Sequence, residues 1–280
     1  VCVLEAGPND WHPYIHLPAG FIKTFHMKSI NWAYQQEVGP YTGGRSIYAP
    51  RGKTLGGSSS INGHIYNRGQ RMDFDTWAQM GNRGWGYADV LPYFKRSENN
   101  SDFDGEYHGK GGPLNVTGLQ SDNPVKEMFL QGAREAQFRI RDDFNGAEQE
   151  GLGIYQVTQR NGERWSAARG YIHPHMGRRP NLRIETQAHA TRIIFEGKRA
   201  VAVEYIQGKE KKVLRARREV ILAAGAFQSP QLLMLSGVGD AAALGKHGIA
   251  SLHQLPGVGQ NLQDHPDFVF VYASDYPHFV

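Results

Sequence analysis

Between Pro50 and Gly63 the chain runs Arg51-Gly52-Lys53-Thr54-Leu55-Gly56-Gly57-Ser58-Ser59-Ser60-Ile61-Asn62-Gly63, with four glycines and three consecutive serines in thirteen residues. Glycine reaches positive φ without steric cost and lets a backbone approach a ligand closely. Serine hydroxyls and freed backbone N–H groups then face whatever is bound. Such a stretch builds a surface for a phosphate or for the edge of a planar heterocycle, rather than a hydrophobic core. Gly52-Lys53-Thr54 has the tail of a P-loop. That motif needs a further glycine five positions upstream, where this chain has Ile47, with Pro50 inside the would-be loop. ATP or GTP binding is therefore disfavoured. A flexible Gly/Ser linker is disfavoured too, because Leu55, Ile61 and Ile65 anchor the run in apolar surroundings.

The start of the chain narrows the fold. Val1-Cys2-Val3-Leu4 is an apolar strand that ends in Glu5-Ala6-Gly7. An apolar strand closed by an acidic residue reads as the second strand of a dinucleotide-binding βαβ unit, with Glu5 able to accept from both adenosine ribose hydroxyls. The alternative for Glu5 is an ordinary surface glutamate at a strand end. The first strand and its Gly-x-Gly-x-x-Gly turn are expected upstream of Val1. Near the other end, Val220–Gly225 reads as a buried strand, followed by a helix opened by Ser229 with Pro230 as its first residue.

Other elements follow from local pattern. Residues 11–50 carry prolines and glycines but also Trp11, Phe21, Phe25, Trp32 and Tyr34, so they read as an ordered excursion. Asp89 is expected to cap a short helix to Lys95, and residues 99–121 to be loop. Residues 123–138 are expected to be helical, with Val125, Met128, Phe129, Ala133 and Ala136 as the apolar set. Ser166 is expected to cap a helix ending before Pro174. Leu182–Glu185, Ala190–Phe195, Ala200–Ile206, Lys212–Ala216 and Glu219–Ala223 read as strands, with turns at Gly197-Lys198 and Gly208-Lys209. Asp240 caps another helix that Gly248 ends.

Composition excludes several classes. The net charge is +4, from 31 basic and 27 acidic residues interspersed along 280, and no basic stripe points to nucleic acid. One cysteine, Cys2, rules out an internal disulfide framework. His173 and His175 flank Pro174, but no acidic or cysteine ligand stands near them in sequence, so no metal site is expected. Asn99 and Asn115 begin glycosylation sequons that matter only in a secreted chain.

Taken whole, the Arg51–Gly63 run resembles the first signature of the glucose–methanol–choline (GMC) family of FAD-dependent alcohol oxidoreductases. Gly225-Ala226-Phe227-Gln228-Ser229-Pro230-Gln231-Leu232-Leu233-Met234-Leu235-Ser236-Gly237-Val238-Gly239 resembles the second, in the right order. The resemblance covers nearly the whole chain and points to the choline-dehydrogenase-like branch. It implies an α/β fold with α+β elements: a Rossmann-like FAD-binding domain of glutathione-reductase type, whose sheet carries a β-meander. The expected organisation is a discontinuous FAD-binding domain over 1–265, with the excursion at 11–50 and an insert over about 100–180. A substrate-binding domain is then expected to begin over 266–280, and both ends are expected to be truncated. Asn261–Pro266 also fits a family pattern, read as structural.

By resemblance, Arg51, Gly52, Thr54, Gly57 and Ser58 line the diphosphate and ribityl side of FAD, and Asn62, Gly63, His64 and Ile65 approach the isoalloxazine. Ala190 matches the position whose backbone meets adenine, and Gly225-Ala226 packs against the dinucleotide. The position that carries a flavin-tethering histidine in some relatives is Ile61 here, which implies non-covalent FAD with His64 as a contact only. The implied activity is oxidation of a primary alcohol by hydride transfer to flavin. The catalytic histidine and its partner are expected beyond Val280, so no catalytic residue is assigned within the chain, and the fragment alone is expected to be inactive. The implied partners are a small-molecule alcohol and an acceptor among quinones, dye-like acceptors and O2, with no nucleic acid. The expected location is cytoplasmic, at most peripheral to the inner membrane. The competing readings are a flavin-binding remnant without catalysis and an NAD-linked dehydrogenase.

Overall fold

The computed structural model describes residues 1–265, 267–273 and 275. The chain divides into two compact units, one of Val1–Pro8 with Asn181–Tyr272 and the other built on Asn9–Pro180. Among the described residues no helix is long and apolar enough to cross a membrane.

In the first unit the opening strand, Cys2–Leu4, pairs in parallel with Arg183–Glu185, in the register Cys2–Arg183, Val3–Ile184 and Leu4–Glu185. The chain then forms a three-stranded antiparallel meander of Ala188–Glu196, Arg199–Gln207 and Glu210–Arg215. Both of its turns use a glycine at positive φ, Gly197 and Gly208, which a side chain would strain. Ile193 and Tyr205 are buried on one face of the meander and Ala202 on the other. A helix over Gly225–Leu235 follows, and Ser236 Oγ, just past its end, accepts from Ile193 N at 2.8 Å. Asp240 accepts from Ala243 N at 2.9 Å and caps the helix Ala241–Lys246, which Gly248 terminates at positive φ.

Two expectations fail in this unit. Glu219–Ala223 is not a strand; Ile221 stays largely exposed, because no strand among the described residues lies beside it to satisfy its backbone. The following helix starts at Gly225 rather than Ser229, so Pro230 falls inside it. Ser229 Oγ accepts from Ala224 N at 3.0 Å and steadies the helix start from within the second turn.

The second unit contains the excursion, which is ordered as short helices over Pro13–His16 and Phe21–Thr24 and a strand pair of Tyr34–Gln35 with Tyr48–Ala49. Ile15, Ile30 and Ile61 pack together beneath it with Met27. Helices Arg71–Gln79 and Tyr87–Ser97 meet through Phe74, whose ring packs on Tyr87 and Phe94. Asp89 sits inside the second helix, not at its cap: its carboxylate reaches back to Gly86 N at 3.2 Å. Residues 99–121 are not all loop. Glu98–Asn100 pairs in parallel with Leu114–Gly118, which pairs antiparallel with Gln156–Val157. The helix at Val125–Glu135 buries Leu130 and Ala133 and leaves Val125, Met128 and Phe129 exposed. Ser166 Oγ accepts from Arg169 N at 3.2 Å as expected of a cap, but the helical turn over Ala168–Ile172 runs on into His173–His175 instead of stopping before Pro174.

Asn261–His265 is irregular and exposed. Pro266, and most of the segment expected to open a substrate-binding domain, lie outside the described residues.

Candidate functional site: a glycine–serine loop around a buried arginine

The Arg51–Ile65 loop is held from both sides by its own backbone. Trp32 N donates to Arg51 O at 2.9 Å, and Lys53 N to Ile30 O at 2.8 Å. Arg51 N donates to Asn31 Oδ1 at 3.0 Å. The chain then folds on itself: Gly52 N donates to Ser58 Oγ at 3.1 Å, and Gly57 N to Thr54 O at 2.8 Å. A short helical turn over Gly57–Ser60 closes the loop. Two of the serine hydroxyls expected to face a ligand turn inward instead: Ser59 Oγ donates to Gly56 O at 2.6 Å, and Ser60 Oγ to Leu55 O at 2.7 Å. Leu55 and Ile61 are buried as anchors, but Ile65 is exposed, and only its backbone is held, in a bridge to Val157.

The glycines divide into two kinds. A Cβ on Gly52 would overlap the Gly57 carbonyl, and one on Gly56 would overlap Ser60 Oγ, so these two are required by the loop's own packing. A Cβ on Gly57 or Gly63 would meet nothing within 4 Å. Gly57 has φ +57°, so the backbone there presents an open face that only glycine provides without strain. Lys53 lies over the Trp32 ring, 4.7 Å from its centroid, a structural use of the charge.

Arg164 organises the loop from beneath. It is fully buried. Its Nε donates to Ile15 O at 2.7 Å, and its Nη1 to Ser59 O at 3.0 Å and to Asn62 Oδ1 at 2.7 Å. Asn62 Oδ1 also accepts from His64 N at 3.1 Å. Arg164 Nη2 is buried without a hydrogen-bond partner. Burial pulls its guanidinium down to about 10, so it is still charged at neutral pH. His64 is buried at φ +67°, and neither ring nitrogen has a hydrogen-bond partner. Burial, and then the Arg164 charge, push its imidazole down to about 4; weaker pulls from the Pro18 and Thr158 backbones oppose them without closing a hydrogen bond. His64 is therefore neutral.

In the first unit, Glu5 stands at the end of the opening strand, and its Oε1 accepts from Gly7 N at 2.8 Å. Ala190 lies on the first meander strand opposite Tyr205, just before a register shift. Gly225 and Ala226 occupy the first turn of the helix rather than a strand–helix turn before it. Gly225, at φ +85°, is another position where a Cβ would meet open space.

A second polar cluster is absent from the sequence reading. Arg68 Nη2 lies 2.7 Å from Glu98 Oε2, and Glu98 Oε1 lies 3.2 Å from His108 Nδ1. His108 Nε2 lies 2.8 Å from Asp143 Oδ2. Burial pushes the Glu98 carboxyl up, but His108, Gly109 N, Asn100 and the Arg68 charge outweigh it and hold it low. His108 is pushed down by burial and more strongly up by its two carboxylates, to about 9. Each charge here has an opposite partner. His173 meets the buried Asp10, its Nε2 2.8 Å from Oδ1, and stacks on Trp11. The sequon asparagines are engaged as well: Asn99 Nδ2 donates to Asn115 Oδ1, and Asn115 Nδ2 to Gln159 O.

Comparison with known proteins gives this architecture its class. The family model of GMC oxidoreductase matches residues 19–267. The chain is 49% identical to an alcohol dehydrogenase [acceptor] of Pseudomonas putida, over 98% of this chain and 50% of that protein. It is also 49% identical to an oxygen-dependent choline dehydrogenase of Brucella ovis, over 95% of this chain and 48% of that one. Among solved structures it superposes on pyridoxine 4-oxidase from Mesorbium loti with a TM-score of 0.88 at 32% identity, covering 95% of this chain and 52% of that one. A formate oxidase matches at 0.86 and 29%. The fold is thus a mixed helix–strand FAD-binding domain of Rossmann type, as the sequence implied. The chain belongs to the GMC oxidoreductase family, and it spans about half the length of these relatives.

Proposed function

We propose that this chain is the FAD-binding part of an enzyme that oxidises a primary alcohol, of the choline- or alcohol-dehydrogenase kind. The observation that carries the reading is the open glycine face of the Arg51–Ile65 loop, pinned by Arg164 and by inward-turned serines, in a chain of this family. The open glycine positions fit an isoalloxazine or its ribityl–diphosphate arm, while Thr54 and His64 are buried behind them and Gly52 N is engaged by Ser58. Gly57 and Gly63 leave room for a ring or a ribityl chain, and a neutral His64 contributes no charge. Arg51, Gly52, Thr54, Gly57 and Ser58 are assigned to the diphosphate and ribityl portion, and Asn62, Gly63, His64 and Ile65 to the ring. In the other unit, Glu5 is assigned to the ribose, Ala190 to adenine, and Gly225 and Ala226 to the dinucleotide.

When bound, FAD supplies the hydride acceptor. The chain's own residues bind it, orient its ring and keep water from its protein-facing side; the base that takes the alcohol proton is assigned to none of them. The domain division proposed is an FAD-binding domain over 1–265 followed by the start of a substrate-binding domain. With Ile61 at the tethering position, the FAD is held without a covalent bond. The substrate class is a small primary alcohol, and the acceptor is a quinone, a dye-like molecule or O2. The protein is placed in the cytoplasm, with peripheral contact to the inner membrane as the alternative.

The experiment is to purify the full-length protein, precipitate it with acid, and assay choline and short aliphatic alcohols with a dye acceptor and with O2. Yellow FAD in the supernatant and turnover of an alcohol support the reading. Flavin retained in the pellet after SDS treatment contradicts the non-covalent assignment. Bound flavin without turnover of any alcohol favours the remnant, and NAD reduction without flavin favours the nicotinamide-linked dehydrogenase.

A further inference from the structure

A fully buried guanidinium normally faces a carboxylate, because an unpaired charge in the protein interior loses its hydration without replacement. Arg164 departs from that pattern. Its donors end on two backbone carbonyls and one neutral carboxamide, and Nη2 ends on nothing. Burial alone shifts its pKa, and no carboxylate among the described residues offsets that burial. Two of its three acceptors, Ser59 O and Asn62 Oδ1, belong to the glycine–serine loop, and Asn62 passes the restraint on to His64 N. The neighbouring His64 cannot balance the charge, since it is neutral and its ring nitrogens are unpartnered. The contrast with Arg68 in the same unit is direct, because Arg68 meets Glu98 at 2.7 Å.

We infer that Arg164 is a positioning residue for the cofactor loop, fixing Ser59 and Asn62 through its fork, and that its unbalanced buried charge biases the site toward negative charge on the bound group. The inference rests on the FAD reading. Reduction adds electrons to the flavin, and a fixed cation in a poorly screened site favours that added negative charge. A fork and a point charge are separable here, because lysine keeps the charge but cannot reproduce the planar, multiply bonded guanidinium.

The test uses the flavin-loaded, full-length protein and two variants, Arg164→Met and Arg164→Lys. FAD affinity and the flavin midpoint potential at pH 7 are measured, with near-UV circular dichroism to confirm folding. Arg164→Met is expected to weaken FAD binding by about tenfold or more and to move the potential negative. Arg164→Lys is expected to weaken binding too while keeping the potential close to wild type. A folded Arg164→Met protein with wild-type potential would reduce Arg164 to scaffold and overturn the charge half of the inference. Wild-type FAD affinity in Arg164→Lys would overturn the fork half; should Arg164→Met not fold, Arg164→Gln, which removes the charge but keeps a planar donor, takes its place, and a wild-type potential there would overturn the charge half. Failure of the FAD reading is distinguishable, since the wild-type protein would then carry no flavin.

Discussion

The second unit contains two buried polar clusters that look alike in composition and differ in balance. Around Glu98, two cations and two carboxylates alternate, and backbone and carboxamide donors take up remaining oxygens, as Gly109 N does on Glu98 at 2.7 Å. Around Arg164 there is one cation, a neutral histidine and three unpartnered nitrogens, namely Arg164 Nη2 and both ring nitrogens of His64. In the Glu98 cluster every charge faces an opposite charge, although Arg68 Nη2 closes no hydrogen bond, so the cluster ties the strand Glu98–Asn100 to the segments carrying Arg68, His108 and Asp143. An open cluster carries desolvation that folding leaves uncompensated. Arg164 Nη2 and the His64 ring are covered by the protein itself, so a ligand at the loop would meet the Arg164 field and not these atoms; that uncompensated charge is why the proposed cofactor site is the loop above Arg164 and not the Glu98 cluster.

The two clusters should separate most clearly at Glu98. Glu98→Gln removes one charge from the closed cluster and strands Arg68, so the fold should lose about 3–5 kcal/mol. The measurement is the urea midpoint, and below the transition the surviving folded protein should still hold FAD. An unchanged midpoint would show that the cluster does not support the fold. Gly52→Ala comes next. Its Cβ would overlap the Gly57 carbonyl, so the loop must shift, at about 1–3 kcal/mol; Gly63→Ala, which meets open space in the protein alone, should leave unfolding unchanged. Equal effects of the two on stability would erase the distinction between packed and open glycines.

The smallest expected effect lies in the pH dependence of stability. His108 has a folded pKa raised from the ordinary 6.5 to about 9. Its contribution is fully present below pH 6.5 and is lost as the pH rises through 9. His64 has its folded pKa lowered to about 4. Its contribution is present above pH 6.5 and is lost as the pH falls toward 4. Unfolding free energy of the apoprotein should therefore decline on both sides of about pH 6.5. His108→Asn should flatten the alkaline limb and His64→Met the acid limb; if either variant keeps both limbs, the charge states given to these histidines are wrong.

Legibility in the sequence followed the range of the interactions. The meander was readable because Gly197 and Gly208 punctuate alternating strands within a few residues. The glycine–serine loop was readable because its conformational demands are local. Glu219–Ala223 was misread because a strand exists only beside another strand, and none of the described residues supplies it. The helix at Gly225 was misread because Ser229 and Pro230 make a convincing cap whose hydroxyl is used from inside the helix. Arg164 carried no signal at all: its acceptor Ile15 O is 149 positions away and Ser59 O is 105 away. Glu98, His108 and Asp143 are likewise joined only by tertiary folding. Gly57 shows a subtler limit. The sequence marks it as a required glycine, but only the structure tells its open face from the self-packed Gly52.

On the proposed reading, this loop receives FAD through its open glycine faces and not through the charge of Lys53. FAD dissociation constants of Gly57→Val and Lys53→Ala, measured on the full-length protein, test it most directly. A side chain at Gly57 must displace the cofactor or strain a backbone at positive φ, at about 1–3 kcal/mol. At about 1.4 kcal/mol per tenfold, Gly57→Val should weaken binding by roughly ten- to a hundredfold. Lys53→Ala should change it far less, because that ammonium rests on Trp32. A Lys53→Ala protein emptied of flavin beside a fully loaded Gly57→Val protein would contradict the account.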